Sequence, residues 1–162
     1  MTTPNPYETK PWLDAYAPGV PQEIDEVTQT LPDMLAESVR TFGRRPALEF
    51  FGRVTSYRAL GDAIDRAAEG LRRLGVVAGD RVAIVLPNCP QHVIAFYAVL
   101  RLGAIVVEHN PLYTPRELRH QFEDHEARFA IVWDKVYDTV ADFPSDVQPE
   151  QTVSVDVPAA LP

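Results

Sequence analysis

The sequence predicts an α/β protein built on an open, doubly wound parallel sheet with helices on both faces. Three observations lead there. The runs RVAIVL (81–86), AIVVEH (104–109) and FAIVW (129–133) are short, β-branched and almost wholly apolar, as strands buried on both faces are. Stretches with helical periodicity and N-terminal capping signals lie between them. Right-handed crossovers then place successive strands side by side in one open layer.

The elements divide into an arm, residues 1–30, and an α/β subdomain, residues 31–162. Pro4, Pro6, Pro11, Pro18, Pro21 and Pro32 crowd the first 32 residues. Proline fixes φ and removes a donor, so an extended arm is expected there, without regular helix or central strand. Trp12, Leu13, Tyr16, Val20 and Ile24 are too apolar for a bare linker, and the arm is expected to pack on something. From Thr30 a helix is predicted, with Thr30 as N-cap, Pro32 and Asp33 in its first turn, and Gly43 as its stop. Leu31, Met34, Leu35, Val39 and Phe42 share one face of it. ALEFFGRVTS (47–56) reads as a hairpin turning at Gly52-Arg53. Ser56 caps a second amphipathic helix whose buried side carries Leu60, Ile64, Ala67, Leu71 and Leu74, with Gly75 ending it.

After the strand at 81–86, Asn88 and Gln91 form an Asn/Gln variant of the capping box, with Pro90 in the first turn. The helix over 90–102 carries Val93, Ile94, Phe96, Tyr97, Val99 and Leu100 on more than one face, which predicts burial on two sides. A strand at 104–109, a helix at 114–125, a strand at 129–133, a short helix in KVYDTVADF and a fourth strand at TVSV (152–155) complete the series.

Composition narrows the function classes. Fifteen Lys and Arg against 23 Asp and Glu give a formal charge of −8, which argues against a general nucleic-acid binder. The pairs Arg44-Arg45 and Arg72-Arg73 read as solvated faces. A single cysteine rules out an internal disulfide, and no Cys/His spacing suits zinc. The opening MTTPNPYETKPW has no signal-peptide pattern, and no apolar run is long enough for a membrane span. The expected location is the cytoplasm, with peripheral attachment to a membrane left open.

Open α/β sheets bind ligands beyond the carboxyl ends of their strands, where PNCPQ and HNPLYTP lie here. Neither loop is glycine-rich, and neither phosphate-cradling fingerprint is present. Cys89 stands near a helix N-terminus, where a dipole favours a thiolate, but a small buried residue between two prolines is the plainer reading. His92 is expected packed or at the surface, and His120 and His125 solvated on a polar helix. Glu108 and His109 put a carboxylate beside an imidazole at a strand end, making His109 the catalytic candidate. Adjacent strand residues point to opposite faces, however, so the two cannot easily share a proton. Thr114, Pro115 and Glu117 form a complete capping box, and Asn110-Pro111 sets the turn before it. Each of these neighbours has a structural task.

The blocks GDRVAIVLPN (79–88), LRLGA (100–104) and NPLYTPREL (110–118) resemble the AMP-forming acyl-CoA synthetases of the acyl-adenylate-forming superfamily. The arm KPWLDAYAPGVPQEI (10–24) is similar to that of bacterial long-chain fatty acid–CoA ligases. The resemblance implies the first subdomain of the adenylate-forming N-terminal domain. It also implies a parent enzyme that joins a fatty acid to ATP as an acyl-adenylate, with Mg²⁺, and then transfers the acyl group to coenzyme A.

The family's phosphate loop, adenine and Mg²⁺ block, ribose-binding Asp, hinge and catalytic lysine have no match here. The sequence reaches DVPAALP before any of them. The resemblance therefore gives His109 no catalytic role, and assigns no cofactor-binding or metal-binding residue to this segment. The expectation is a truncated piece of a long-chain ligase, inactive alone and with no cofactor bound. Its partners are fatty acid, ATP and CoA in the parent, the remaining subdomains, and a second copy through exposed apolar surface on the 90–102 helix and around Trp12. A stand-alone binding module of the same fold, or a piece of a medium-chain or aryl-acid ligase, are the alternatives.

Overall fold

The computed structural model describes residues 5–24 and 26–162. In chain order it runs α1 (Pro6–Thr9), α2 (Leu31–Phe42), β1 (Pro46–Phe50), β2 (Arg53–Ser56), α3 (Tyr57–Arg73), β3 (Arg81–Val85), α4 (Pro90–Arg101), β4 (Ile105–Glu108), α5 (Pro115–His125), β5 (Phe129–Trp133), α6 (Tyr137–Ala141) and β6 (Gln151–Val155). Three 3₁₀ turns, Pro11–Ala15, Asp134–Val136 and Val157–Ala160, punctuate it.

β3 to β6 form one sheet in the order β4-β3-β5-β6, every pair parallel. The period of two along β3 divides its side chains between two cores. Val82, Ile84 and Leu86 face α3 and α4, where Leu60, Ile64, Ala68, Leu71, Ala95, Ala98 and Val99 meet them. Ala83 and Val85, with Ala130 and Val132 of β5, face Leu118 and Phe122 of α5 and Val140 of α6. Helices therefore cover both faces, and the sheet is doubly wound. Burying a Val, Leu, Ile or Phe side chain fully stabilises the fold by about 1.5–3 kcal/mol, so these two layers dominate its stability.

Several elements sit where the sequence places them. The Thr30 side chain accepts the Asp33 N–H, and the Ser56 side chain accepts the Ala59 N–H. Gly75, at φ +99°, turns the chain out of α3. From Pro90 to Leu100 no residue of α4 is exposed, so this helix is covered on two sides as its composition predicts.

Other expectations need correction. The arm is not extended throughout: Asn5 caps the helical turn α1 and a 3₁₀ turn follows, each with proline in its first turn, where a missing N–H costs nothing. Pro4 lies outside the described residues. Trp12 meets Tyr7 edge to face, but the arm's apolar side chains are mostly exposed, Ile24 to 94%, so the expected packing is not made among the described residues. The hairpin turns at Phe51-Gly52, one residue earlier than expected, because a two-residue turn of this hand needs positive φ at both central positions (49° and 88°). In α3, Ala68 takes the deeply buried position expected of Ala67, and Leu74 lies past the last helical turn and is exposed. The N-cap of α4 is Cys89, with no side-chain cap bond, so the Asn88–Gln91 capping box does not form. Gln91 instead donates its amide to the carbonyls of Asp156 (3.1 Å) and Val157 (3.3 Å). In α2 only part of the predicted face is covered: Leu35 packs against the core, whereas Leu31, Met34 and Phe42 remain exposed. Among the described residues no helix is long and apolar enough to cross a membrane.

Candidate functional site

Because β3 is the first strand of the parallel sheet and lies inside it, its crossover leaves toward one face while that of β5 leaves toward the other. This is the switch point at which open α/β sheets form a crevice. A cleft of about 570 Å³ opens there, lined by Leu86, Pro87, His92, Glu108, His109 and Trp133 among others.

Glu108 ends β4 and projects toward α4. One carboxylate oxygen lies 2.8 Å from Nε2 of His92 in the first turn of that helix. Nδ1 of His92 faces the Pro87 carbonyl at 3.3 Å. Both ring nitrogens thus meet acceptors, which fixes the ring at the cleft mouth. This His–carboxylate pair is the feature that sequence reasoning missed. Its members are 16 residues apart, and they meet because β3 and β4 pair Ile84 with Glu108.

His109 goes the other way, as the strand alternation requires. It is 6% exposed, stacks on Phe122 at 5.1 Å and lies 4.9 Å from the ring of His125. Its Nδ1 is 2.6 Å from Oε1 of Gln121, and its Nε2 is buried without a partner. Burial pushes the His109 pKa below its usual value, with the Gln121 bond and Glu108 acting against that shift. Glu108 and His109 are therefore not brought together; each partners a histidine or glutamine from a different helix.

The remaining sequence candidates separate clearly. His120 is exposed. His125 is not solvated as expected: it is half-buried against Phe122, and burial first, then His109, hold its pKa down to about 4. Cys89 is 6% exposed, and burial raises its thiol pKa despite the backbone N–H groups of Gln91 and His92, so the helix dipole does not deliver a thiolate. Thr114 and Glu117 form the expected capping box, with both Thr114 N–H and Oγ1 2.8 Å from the Glu117 carboxylate.

A nucleotide triphosphate does not fit this cleft. Its lining residues include the Glu108 carboxylate and neither Lys nor Arg, so phosphate oxygens would meet a negative charge without a counter-ion. Among the described residues no group of three or more His, Cys, Asp or Glu is placed to hold a metal ion.

Comparison with known proteins gives this architecture its relatives. The chain is 42% identical over 129 residues to the long-chain-fatty-acid–CoA ligase of Bacillus subtilis, covering 79% of this chain and 23% of that protein. It is 41% identical over 141 residues to the long-chain-fatty-acid–CoA ligase of Escherichia coli O6:H1, covering 82% of this chain and 25% of that one. The chain thus spans about a quarter of the length of these curated relatives. The crystal structure of a long-chain-fatty-acid–CoA ligase from Archaeoglobus fulgidus superposes with a TM-score of 0.76 at 25% identity, covering 86% of this chain and 30% of that one. The model of the AMP-binding enzyme family matches residues 35–161, the whole doubly wound sheet together with most of α2 and the hairpin. The chain belongs to the AMP-binding enzyme family, whose members include AMP-forming acyl-CoA ligases.

Proposed function

We propose that this chain supplies the leading α/β subdomain, with its arm, of a long-chain fatty acid–CoA ligase. The whole enzyme would convert fatty acid, ATP and CoA to acyl-CoA, AMP and pyrophosphate through an acyl-adenylate, with Mg²⁺ as the metal. The role of this segment is scaffold: it builds one parallel sheet against which the catalytic parts of the enzyme are held. None of its residues, His109 included, performs the chemistry, and it carries no nucleotide of its own.

The observation that supports this reading most directly is the cleft at the carboxyl ends of β3, β4 and β5. The place where such a sheet would hold a nucleotide presents a carboxylate and no cation. Identity of 41–42% to long-chain ligases supports the acyl class. Contacts with the other subdomains, and peripheral attachment of the whole enzyme to a membrane, belong to the same proposal.

The test is ATP–pyrophosphate exchange with palmitate on this chain, with titration calorimetry of ATP, an acyl-AMP analogue and CoA beside it. The expected result is exchange at background and no heat of binding. Exchange above background would overturn the scaffold reading, and micromolar binding without exchange would favour a stand-alone binding module. Preference of the whole enzyme for medium-chain or aryl acids would overturn the long-chain assignment.

A further inference from the structure

The buried pair His109 and His125 contains complementary orphan atoms. His125 Nδ1 accepts the backbone N–H of Ala127 at 3.0 Å, so the proton of the neutral ring sits on Nε2. His109 Nδ1 faces the oxygen of Gln121 at 2.6 Å, so its proton sits on Nδ1 and its Nε2 carries a lone pair. Both Nε2 atoms are buried and unpartnered: one is a donor, the other an acceptor. The ring centroids are 4.9 Å apart. Two imidazoles joined in line by an N–H···N bond of about 3 Å have centroids about 5.3 Å apart, and rings tilted off that line come closer; the two ring planes here meet at 49°.

We propose that His125 and His109 form a one-way hydrogen-bonded latch, Ala127 N–H to His125, His125 Nε2–H to His109 Nε2, and His109 Nδ1–H to Gln121, which ties the end of β4 to α5 and opens on protonation. A small ring rotation closes the central bond and gives two unsatisfied buried atoms the partner whose absence otherwise leaves their desolvation uncompensated. A proton added at His109 Nε2 sets N–H against N–H. A proton added at His125 Nδ1 sets N–H against the Ala127 N–H. Either one breaks a link.

The charged groups acting on the pair are Glu108 beside His109, Asp124 on α5 and Arg81 at the start of β3. The two carboxylates favour protonation, and Arg81 with burial opposes it. His109 directly follows Glu108, so release of the latch loosens residues 109–114 and with them one wall of the cleft. This reading stands apart from the scaffold proposal, since it concerns the chain's own fold.

Long-range imidazole ¹H–¹⁵N correlation on the labelled chain tests it. At pH 7.5 the expected result is the Nδ1–H tautomer for His109, the Nε2–H tautomer for His125 and a ¹⁵N–¹⁵N coupling across their Nε2 atoms. Reversed tautomers, or an imidazolium in either ring at pH 6, would overturn the latch. Between pH 7.5 and pH 4.5 the folding equilibrium should fall on the order of 100-fold through this pair, with faster amide exchange at 109–114. His125→Phe should remove most of that fall. A variant with undiminished acid sensitivity counts against the proposal, and the tautomer measurement on the unaltered chain decides the matter if the variant does not fold.

Discussion

At the scale of single residues, His109 and Glu126 show what local chemistry fixes and what it hides. The alternation of a strand is enough to separate Glu108 from His109. What receives His109 is not legible, because Gln121, Phe122 and His125 come from α5 and are brought to it by the crossover. His125 read as solvated for the same reason, since its own helix is polar and its burial comes from a strand end. The sign of its titration follows from that burial. Its pKa falls from the usual 6.5 to about 4, so the stability it contributes is complete above 6.5 and is lost as pH falls toward 4. Next to it, Glu126 ends α5 in the left-handed region at φ 49°, with its backbone N–H on the Phe122 carbonyl. That conformation costs a side-chain-bearing residue about 1–2 kcal/mol, against which glycine costs about 0.5–1 kcal/mol in unfolded-chain entropy. Glu126→Gly should therefore raise stability by about 0.5–1 kcal/mol, read as a higher urea midpoint with an unchanged slope.

At the scale of elements, helix starts were legible where the cap is local and illegible where it is not. Thr30, Ser56 and Thr114 each bond an N–H three residues on, so sequence spacing contains the whole interaction. α4 differs. Pro90 occupies its first helical position, which makes Cys89 the cap, and Gln91 is held by carbonyls 65 and 66 residues away. No spacing rule reaches that far. The α5 cap is the stronger test case, because its box satisfies donors in both directions. Thr114→Ala removes the two links made by the hydroxyl, leaves the backbone N–H of residue 114 free to reach Glu117, and should cost about 1 kcal/mol, measured by chemical denaturation. Thr114→Ser keeps the hydroxyl and should restore most of the loss; a Ser variant as unstable as the Ala variant would show that the cap is not the cause.

At the scale of the whole molecule, continuous apolar runs were enough to announce a parallel sheet with two covered faces, because a strand buried on both sides cannot alternate. Which surface stays bare was not legible. Periodicity shows that α4 needs cover on two sides and predicts apolar surface left open on it; α3 and the sheet cover most of this helix, and Ile94 keeps one edge of it on an open groove. The bare apolar surface lies beside it. A groove of about 500 Å³ runs over the outer half of the sheet, lined by Ala67, Leu71, Leu74, Ile94, Val153 and Val155. Leu31, Met34 and Phe42 of α2 and the hairpin's Phe51 and Val54 add further exposed carbon. Exposed apolar patches of this kind drive association. The chain on its own should therefore sediment with a weight-average mass that rises with concentration. Leu74 is 43% exposed on the groove rim, past the last turn of α3. Leu74→Glu should shift the profile toward monomer with little change in the denaturation midpoint, since the carboxylate can reach water. A strictly monomeric profile of the unaltered chain at high concentration, or an unchanged one for Leu74→Glu, would count against the groove as the surface responsible.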